Sequence, residues 1–494
     1  PRRPAPPPYP APALPPARVH LADGDAYGLD TRPALRRLGD SETVAYTFNG
    51  RLPGPMFDVD QGSTVRIAFT NFIPLPTAVH WHGLRLDYRS DGVPGFTQPL
   101  LQTGDTFDYE LRFPDAGMFW YHPHHREDIG MDLGLYGNIL VRPSDPTYYS
   151  PVNEEFYWLI DDLLLQDGEI VPYGAESANY MLMGRLGNVH IINGEPQPTV
   201  TVNRGAVARF FLTNASNARV YNLSFGGLPI KVVAADAGRL ERETMVESVV
   251  IAPSERYTVE VRFPESGRIG VLNAVQAIDH LRGSFFAEVD TVAWIDVAPA
   301  AAAPDHRAVF DRLHAPAAVG AEFDALRPQF GRPVDRELAI RLRTTGLPPV
   351  VEQLMRFDGA YVNPVEWSDT MPMMNWASTG AEIQWILEDV RTGKQNMAID
   401  WRFKRGDVVK IRIRNERNPF HTMHHPIHFH GQRFLVLSHD GIPNEHLAWK
   451  DTMLLPAGVT ADLLLEISNP GVWMAHCHIA EHIASGMMFV FHVD

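Results

Sequence analysis

The chain has 494 residues, of which 45% are hydrophobic and 21% are charged, as in an ordinary globular protein that can build full cores. Its formal net charge of −16 argues against a nucleic-acid backbone as a partner, and no apolar run approaches the length needed to span a bilayer. The single cysteine, Cys477, excludes an internal disulfide and leaves the redox compartment undetermined.

The N-terminal residues differ in composition from the rest of the chain. Residues 1–19 are rich in proline and alanine, which predicts a flexible or polyproline-like arm. The total length suggests roughly three domains.

One strand-like segment occurs three times along the chain. Residues 62–71, 205–214 and 406–415 have the same length, and each begins with a glycine, mixes apolar and polar residues in a similar rhythm and ends in asparagine. This is the pattern of a β-strand that lies between two turns. Its recurrence indicates a repeated domain.

The three copies predict where the domains lie. We expect them at residues 20–149, 150–298 and 336–494, with 299–335 as a connecting segment because it is rich in alanine and proline near its start. Short strands with regular glycine and proline punctuation indicate an all-β fold, with each domain a Greek-key β-sandwich or barrel.

Histidine pairs distinguish the first and third copies from the second. The four His-x-His pairs are His80/His82, His122/His124, His428/His430 and His476/His478. Side chains two residues apart on a strand face the same way, and neutral imidazoles suit copper or zinc. At the corresponding places the middle copy has Asn222, Ser224 and Leu272, so we predict that it is a spacer without metal ligands.

The cysteine lies within the last histidine pair. In an extended segment Cys477 faces away from His476 and His478, so one strand can serve two metal sites. A thiolate, two imidazoles and a weak methionine thioether form a blue-copper electron-transfer site, and His482 and Met487 follow closely in the chain. The alternative is a buried free cysteine beside incidental histidines. Because zinc usually takes four ligands, or three and a water, the whole set favours several coppers.

With these motifs the chain resembles the three-domain multicopper oxidases, the laccase-like enzymes of the cupredoxin superfamily, over nearly its whole length from about residue 40. The resemblance implies four copper ions: one of type 1, one of type 2 and two of type 3. It assigns His80 and His428 to type 2, and His82, His122, His124, His430, His476 and His478 to type 3. It assigns His425, Cys477 and His482 to type 1, with Met487 as the weak axial ligand. Strand parity agrees, because 428, 430, 476 and 478 are even whereas 425 and 477 are odd.

The resemblance also implies an activity. A phenol or aryl amine would give single electrons to the type 1 site, docking near His482, the type 1 ligand nearest the surface in the family. Cys477 would relay them to the three-copper cluster, where dioxygen is reduced to water. The family members are exported, so we expect a periplasmic or extracellular protein.

Acidic residues would supply the protons for that reduction. Asp91 matches the family's acidic residue near the type 2 copper, although an Asp-Gly turn is an alternative explanation. Ile483 occupies the position where many bacterial relatives carry a second acid. Asp128 or Asp132 are candidates to replace it.

Other functions remain open on the sequence. One alternative is a cuprous-ion oxidase, because thioethers suit Cu(I) and the chain carries Met355, Met371, Met373 and Met374. Methionines also fill hydrophobic cores, however. A copper nitrite reductase would lack the four His-x-His pairs, and a copper-free interaction protein would have lost the ligands. The sequence does not predict the oligomeric state.

Overall fold

The structure is a computed structural model that describes residues 10–39, 41–174, 177–279, 284–349, 380–416, 421 and 423–494. Strands dominate it, in agreement with the predicted all-β fold. Within these ranges no helix is both long enough and apolar enough to cross a membrane.

The first pair of sheets lies within residues 18–142. Its strands are Arg18–Leu21 (β1), Ala26–Leu38 (β2), Ser41–Phe48 (β3), Met56–Asp60 (β4), Thr64–Asn71 (β5), Val79–His82 (β6), Thr106–Arg112 (β7), Gly117–Pro123 (β8) and Gly137–Arg142 (β9). One sheet has the order β1-β4-β9-β8-β6 and the other β3-β2-β5-β7.

The second pair lies within residues 154–301. Its strands are Glu154–Leu163 (β10), Leu165–Gln166 (β11), Glu169–Ile170 (β12), Val189–Ile192 (β13), Glu195–Pro196 (β14), Thr199–Arg204 (β15), Val207–Asn214 (β16), Tyr221–Phe225 (β17), Ile230–Ala235 (β18), Gly238–Val246 (β19), Val249–Ile251 (β20), Arg256–Arg262 (β21), Gly267–Asp279 (β22) and Ser284–Ala301 (β23). The sheets are β14-β13-β10-β16-β21-β18-β19 and β15-β23-β22-β17-β20, beside the two-stranded ribbon β11-β12.

The third pair lies within residues 336–493. Its strands are Arg336–Thr344 (β24), Ile383–Asp389 (β25), Trp401–Phe403 (β26), Val408–Asn415 (β27), His425–Phe429 (β28), Arg433–His439 (β29), Ile442–Pro443 (β30), Thr452–Leu455 (β31), Thr460–Glu466 (β32), Gly471–Cys477 (β33) and Met488–Val493 (β34). The sheets are β25-β24-β27-β32-β29-β30 and β26-β34-β33-β28-β31.

Short helices join the strands. The α-helices are Glu127–Gly130 (α1), Ser177–Met183 (α2), Arg307–Phe310 (α3), Ala317–Leu326 (α4) and Ala480–Ala484 (α5), and 3₁₀ turns lie at Tyr88–Ser90, Arg327–Gln329 and Asn396–Ala398.

The recurring sequence segment forms the same strand in each pair of sheets. It gives β5, β16 and β27, which run parallel to β2, β10 and β24, respectively. On their other sides they pair antiparallel with β7, β21 and β32. The three stretches are therefore structural repeats, called here the first, middle and third repeats.

The first and third repeats share one hydrophobic core. It contains Trp81 and Phe119 of the first repeat together with Phe429 and Trp473 of the third, all fully or almost fully buried. The middle repeat has its own core around Phe210. Since burying a large apolar side chain stabilises the fold by about 1.5–3 kcal/mol, the shared core holds the two histidine-bearing repeats together.

Two segments outside the predicted domains make defined contacts with the repeats. The arm predicted at 1–19 is bonded to the first repeat where it is described: Ala13 N donates to Leu35 O and Leu14 N to Gly50 O, over 2.8 and 2.9 Å. The connecting segment 299–335 carries α4, whose Phe323 is fully buried and packs on Trp449. The arm is bound by an unpaired strand edge, and the connecting segment by an apolar surface. Composition alone does not reveal these contacts.

Candidate metal centres

Paired strands bring the histidine motifs face to face. In the first repeat β6 lies beside β8, with His80 opposite His122. In the third, β28 lies beside β33, with His428 opposite His476. The equivalent pair in the middle repeat, β17 and β22, places Ser224 opposite Leu272. Homologous strands thus present ligands in two repeats and ordinary side chains in the middle one.

The eight paired histidines form one buried group between the first and third repeats. Three sets have ligand atoms within 4.8 Å of one another: His80/His82/His428, His82/His122/His478 and His124/His430/His476. Each set draws on both repeats. The imidazoles predicted to hold a three-metal cluster are therefore brought together, and neither repeat alone could supply a complete set.

Most of these imidazoles are oriented through Nδ1. Main-chain carbonyls accept from Nδ1 of His80, His122, His428 and His476 over 2.7–2.8 Å, and the Asp91 carboxylate accepts from Nδ1 of His430 over 2.9 Å. Nε2 of His80, His122 and His428 is buried and has no hydrogen-bond partner among the described residues. Buried lone pairs left open in this way fit a metal, which needs neutral, fixed imidazoles.

Burial keeps the imidazoles neutral. Desolvation is the largest cause that lowers the pKa of the cluster histidines His82, His122, His124, His428, His430, His476 and His478. The pKa of His476 falls to about 4. At neutral pH these histidines therefore offer lone pairs instead of positive charge, as copper ligation requires.

A second cluster lies on the opposite face of β33. Cys477 Sγ is 3.5 Å from Nδ1 of His425 and 3.5 Å from Nδ1 of His482, and these two nitrogens are 3.2 Å apart. All three residues are fully buried, as is Met487, whose carbonyl accepts from the Cys477 amide. One thiol and two imidazole nitrogens that converge in this way are the donor set of a blue-copper site.

His482 lies beneath the middle repeat. It has no exposed surface, its Nε2 is 3.3 Å from the carbonyl oxygen of Leu182 on α2, and the Trp385 ring lies 4.7 Å from its ring. Trp385 in turn donates to Met181 O over 2.8 Å. A helix of the middle repeat thus covers His482, and docking of a donor near this residue stays a prediction.

The acids near the cluster are partly those predicted. Asp91 contacts His80 and His430, as expected for an acid at this site. Asp128 pairs with Arg126, and Asp132 accepts from Tyr173. A further acid beside a cluster imidazole is Glu127.

Glu127 was missed by sequence reasoning. Its Oε1 lies 3.3 Å from Nδ1 of His124, and it opens α1 three residues after that histidine. Burial, and then the charge of Asp128, raises the pKa of Glu127 to about 8. The signal that could have found it is an acid three residues after the last histidine of a His-x-His pair.

The methionines Met355, Met371, Met373 and Met374 lie outside the described residues. The structure therefore does not place them relative to His482.

Multicopper oxidase family models match residues 31–146, 155–279 and 347–494, one in each repeat and together most of the chain. The chain belongs to the multicopper oxidase family, and it is therefore an oxidoreductase of a class that binds copper.

Known proteins resemble it over nearly their whole length. Laccase-2 of Cryptococcus neoformans var. grubii is 26% identical, with 94% of this chain and 83% of that protein aligned. Multicopper oxidase MmcO of Mycobacterium tuberculosis is also 26% identical, over 95% of this chain and 87% of that protein. The crystal structure of a multicopper oxidase from Pseudomonas thermotolerans matches with a TM-score of 0.70 and 25% identity, over 96% of this chain and 100% of that one. The repeats thus have the cupredoxin fold.

Proposed function

We propose that this protein is a laccase-like oxidase, which takes single electrons from phenols or aryl amines and reduces dioxygen to water with four of them. The observation that carries the proposal is the double role of one strand. Cys477 joins the thiol cluster on one face of β33, while His476 and its neighbour His478 join the histidine clusters on the other. Sites for accepting electrons and for using them are therefore covalently linked.

The ligand assignment follows the clusters. The type 1 site would consist of His425, Cys477 and His482, with Met487 as its axial ligand. His80 and His428 would hold the type 2 copper, and the type 3 pair would be held by His82, His122, His124, His430, His476 and His478. When bound, the four coppers supply a one-electron acceptor and a centre that can deliver four electrons to dioxygen.

The chain provides a short path between the two sites. Besides the peptide bond between them, His476 Nδ1 donates to the Cys477 carbonyl over 2.8 Å. This hydrogen bond gives a route from the sulfur to the cluster that is parallel to the covalent one. It also fixes the His476 imidazole with Nε2 toward His430 Nε2, 2.9 Å away.

Two acids would handle protons at the cluster. Asp91 holds His80 and His430 from one side, and Glu127 touches His124 on another. Burial raises the pKa of Glu127 to about 8 in the metal-free chain, and an acid so close to the cluster is placed to supply protons to it.

The electron donor would be a neutral or cationic aromatic molecule, preferably an electron-rich phenol. The net charge of −16 repels anionic donors, increasingly at low salt. Because Leu182 and Trp385 cover His482, the donor would dock over α2 and pass electrons through this thin layer. From the family resemblance we also propose that the protein is exported.

One experiment tests the function. Copper-loaded protein should contain four coppers per chain, show an intense blue band, and oxidise a neutral phenol such as 2,6-dimethoxyphenol. Metal analysis that returns one copper, or zinc, would contradict the assignment. The substrate is decided by comparing the rates of phenol oxidation and Cu(I) oxidation. Both rates are measured in wild type and in a Met371→Leu, Met373→Leu, Met374→Leu variant. If Cu(I) is by far the better substrate and only its oxidation collapses in the variant, the protein is a cuprous oxidase.

A further inference from the structure

One residue of the third repeat contacts two imidazoles of the cluster, one from the first repeat and one from the third. Asp451, which immediately precedes β31, has Oδ1 3.0 Å from Nε2 of His82, and its main-chain carbonyl accepts from Nδ1 of His428 over 2.8 Å. The Thr452 hydroxyl is 3.1 Å from the same His82 nitrogen and donates to Asp451 Oδ1 over 2.9 Å. Asp451 is fully buried.

His82 is oriented in the opposite sense to its neighbours. Its Nε2 is held by Asp451, whereas Nδ1 is buried and has no hydrogen-bond partner in the described part of the chain. A carboxylate can only accept, so Nε2 carries the proton and Nδ1 presents the lone pair. The orientation of this one ligand therefore depends on where the Asp451 carboxylate points.

The residue that fixes Asp451 comes from the middle repeat. Arg256, at the start of β21, donates from Nη1 to Oδ1 over 2.7 Å and from Nη2 to Oδ2 over 2.6 Å. Its Nε donates to Met118 O on β8, the strand that carries His122. Arg256 is 1% exposed. A planar guanidinium with two parallel bonds fixes the carboxylate plane, which a single-point cation would not.

The fork is tightly enclosed. Asp236, also of the middle repeat, accepts from the Arg256 amide over 2.8 Å and from the Asp451 and Thr452 amides over 3.3 Å. Gly83, next to His82, leaves the necessary space: a Cβ there would lie 2.4 Å from Asp451 Oδ2 and 2.8 Å from Arg256 Nη2. All three repeats meet at this point, and the middle repeat reaches the cluster without providing a ligand.

The geometry points to Arg256 as a positioning residue of the metal cluster, which clamps Asp451 so that His82 presents Nδ1 and His428 presents Nε2 to copper. The inference rests on the proposed copper function. It gives the middle repeat, predicted to be a spacer, a part in building the site.

The test compares copper retention in three variants. Arg256→Met removes the fork, and Arg256→Lys keeps the charge without it. Arg209→Met is the control, because Arg209 is another buried arginine of the middle repeat and is paired with Glu260 and Glu155, not with Asp451. Copper-loaded proteins are titrated with a chelator while the blue type 1 band and the near-ultraviolet absorption of the coupled pair are followed separately.

In Arg256→Met we expect the coupled-pair copper to be lost at 10–100-fold lower chelator concentration, the usual cost of removing a group that orients a ligand. The type 1 band should stay, which also shows that the chain is folded, and Arg209→Met should behave as wild type. If Arg256→Met does not fold, Arg256→Lys takes its place and should show the same selective loss in weaker form. The inference is overturned if wild type and the folded Arg256 variant retain the coupled-pair copper equally. It is also overturned if Arg209→Met loses this copper as readily as the Arg256 variant. A wild type that never shows a coupled pair overturns the proposed function instead.

Discussion

The Asp91 carboxylate accepts a hydrogen bond from Nδ1 of His430 over 2.9 Å, although 339 positions of sequence separate the two residues. The main-chain carbonyl of Asp91 accepts from Nδ1 of His80 over 2.7 Å. A single acid therefore orients one imidazole of the first repeat and one of the third. The interface between the repeats and the metal centre are thus built from the same contacts.

Replacing Asp91 tests its role in proton supply. Asp91→Asn keeps the main-chain bond to His80 and an oxygen for His430, but it removes the acid. We expect reoxidation of the reduced enzyme by dioxygen to slow more than reduction of the type 1 site by a phenol, in stopped-flow traces. Unchanged reoxidation would move proton supply to Glu127, and Glu127→Gln is the variant to compare.

Replacing Cys477 tests electron entry. In Cys477→Ser the blue band and phenol turnover should both disappear, because only a thiolate gives that band and serine is a poor copper ligand. His476 and His478 lie in the other clusters, so the coupled type 3 signal should remain. A serine variant with normal turnover would show that electrons enter elsewhere.

The cover over His482 predicts a change in donor access. Trp385→Phe keeps an aromatic ring on His425 and His482 but leaves the Met181 carbonyl without its partner, at a cost of about 1–3 kcal/mol in the free energy of unfolding. Loosening α2 should lower KM for a bulky phenol several-fold and leave the blue band intact.

Trp401→Phe is the matched control for this variant. It also loses an indole hydrogen bond, 3.1 Å long, to Asp389, and it should cost similar stability without changing KM. Equal KM values in the two variants and wild type would show that donors do not pass over α2.

Copper removal should make stability depend on pH in a defined way. Burial lowers the pKa of His476 to about 4 and of His482 to about 3, so the unfolded chain binds more protons than the folded chain below the ordinary imidazole pKa of about 6.5. The free energy of unfolding of metal-free protein should therefore fall with acidification from about 6.5, by about 1.4 kcal/mol per pH unit for each such histidine.

Buried glutamates act in the other direction. Burial raises the pKa of Glu127 and Glu481 to about 8, so their contribution is complete below the ordinary carboxyl value near 4.3 and is lost as the pH rises to about 8. The histidines are more numerous, so metal-free protein should be most stable near pH 6.5. Denaturant titrations at acidic, near-neutral and alkaline pH measure this, and stability that rises steadily to alkaline pH would contradict it.

Local sequence patterns were sufficient to predict the three repeats and the grouping of the histidines. Alternation along a strand fixes which side chains share a face. The sequence alone therefore assigns His428 and His476 to one metal site and His425 and Cys477 to the other. The glycine and asparagine that bound each recurring segment mark turns, and they fall at β5, β16 and β27.

The remainder of the site depends on contacts between distant segments. Arg256 and Asp451 belong to no motif, and only packing of the middle repeat on the third brings them together. The burial of His482 by Leu182 has the same origin, since α2 lies 300 residues earlier in the chain. Periodicity records which face of an element is apolar, but it does not record which other element covers that face.

The division of ligands between β6, β8, β28 and β33 has a consequence for biosynthesis. A growing chain emerges with its first repeat folded long before the third, and at that stage it holds His80, His82, His122 and His124 alone. Every candidate centre still lacks a partner from residues 425–482. Under the proposed ligand assignment, a complete copper site can therefore form only after the ribosome has made those residues and the two repeats have docked, and unfinished chains would be spared reactions with oxygen that they could not complete.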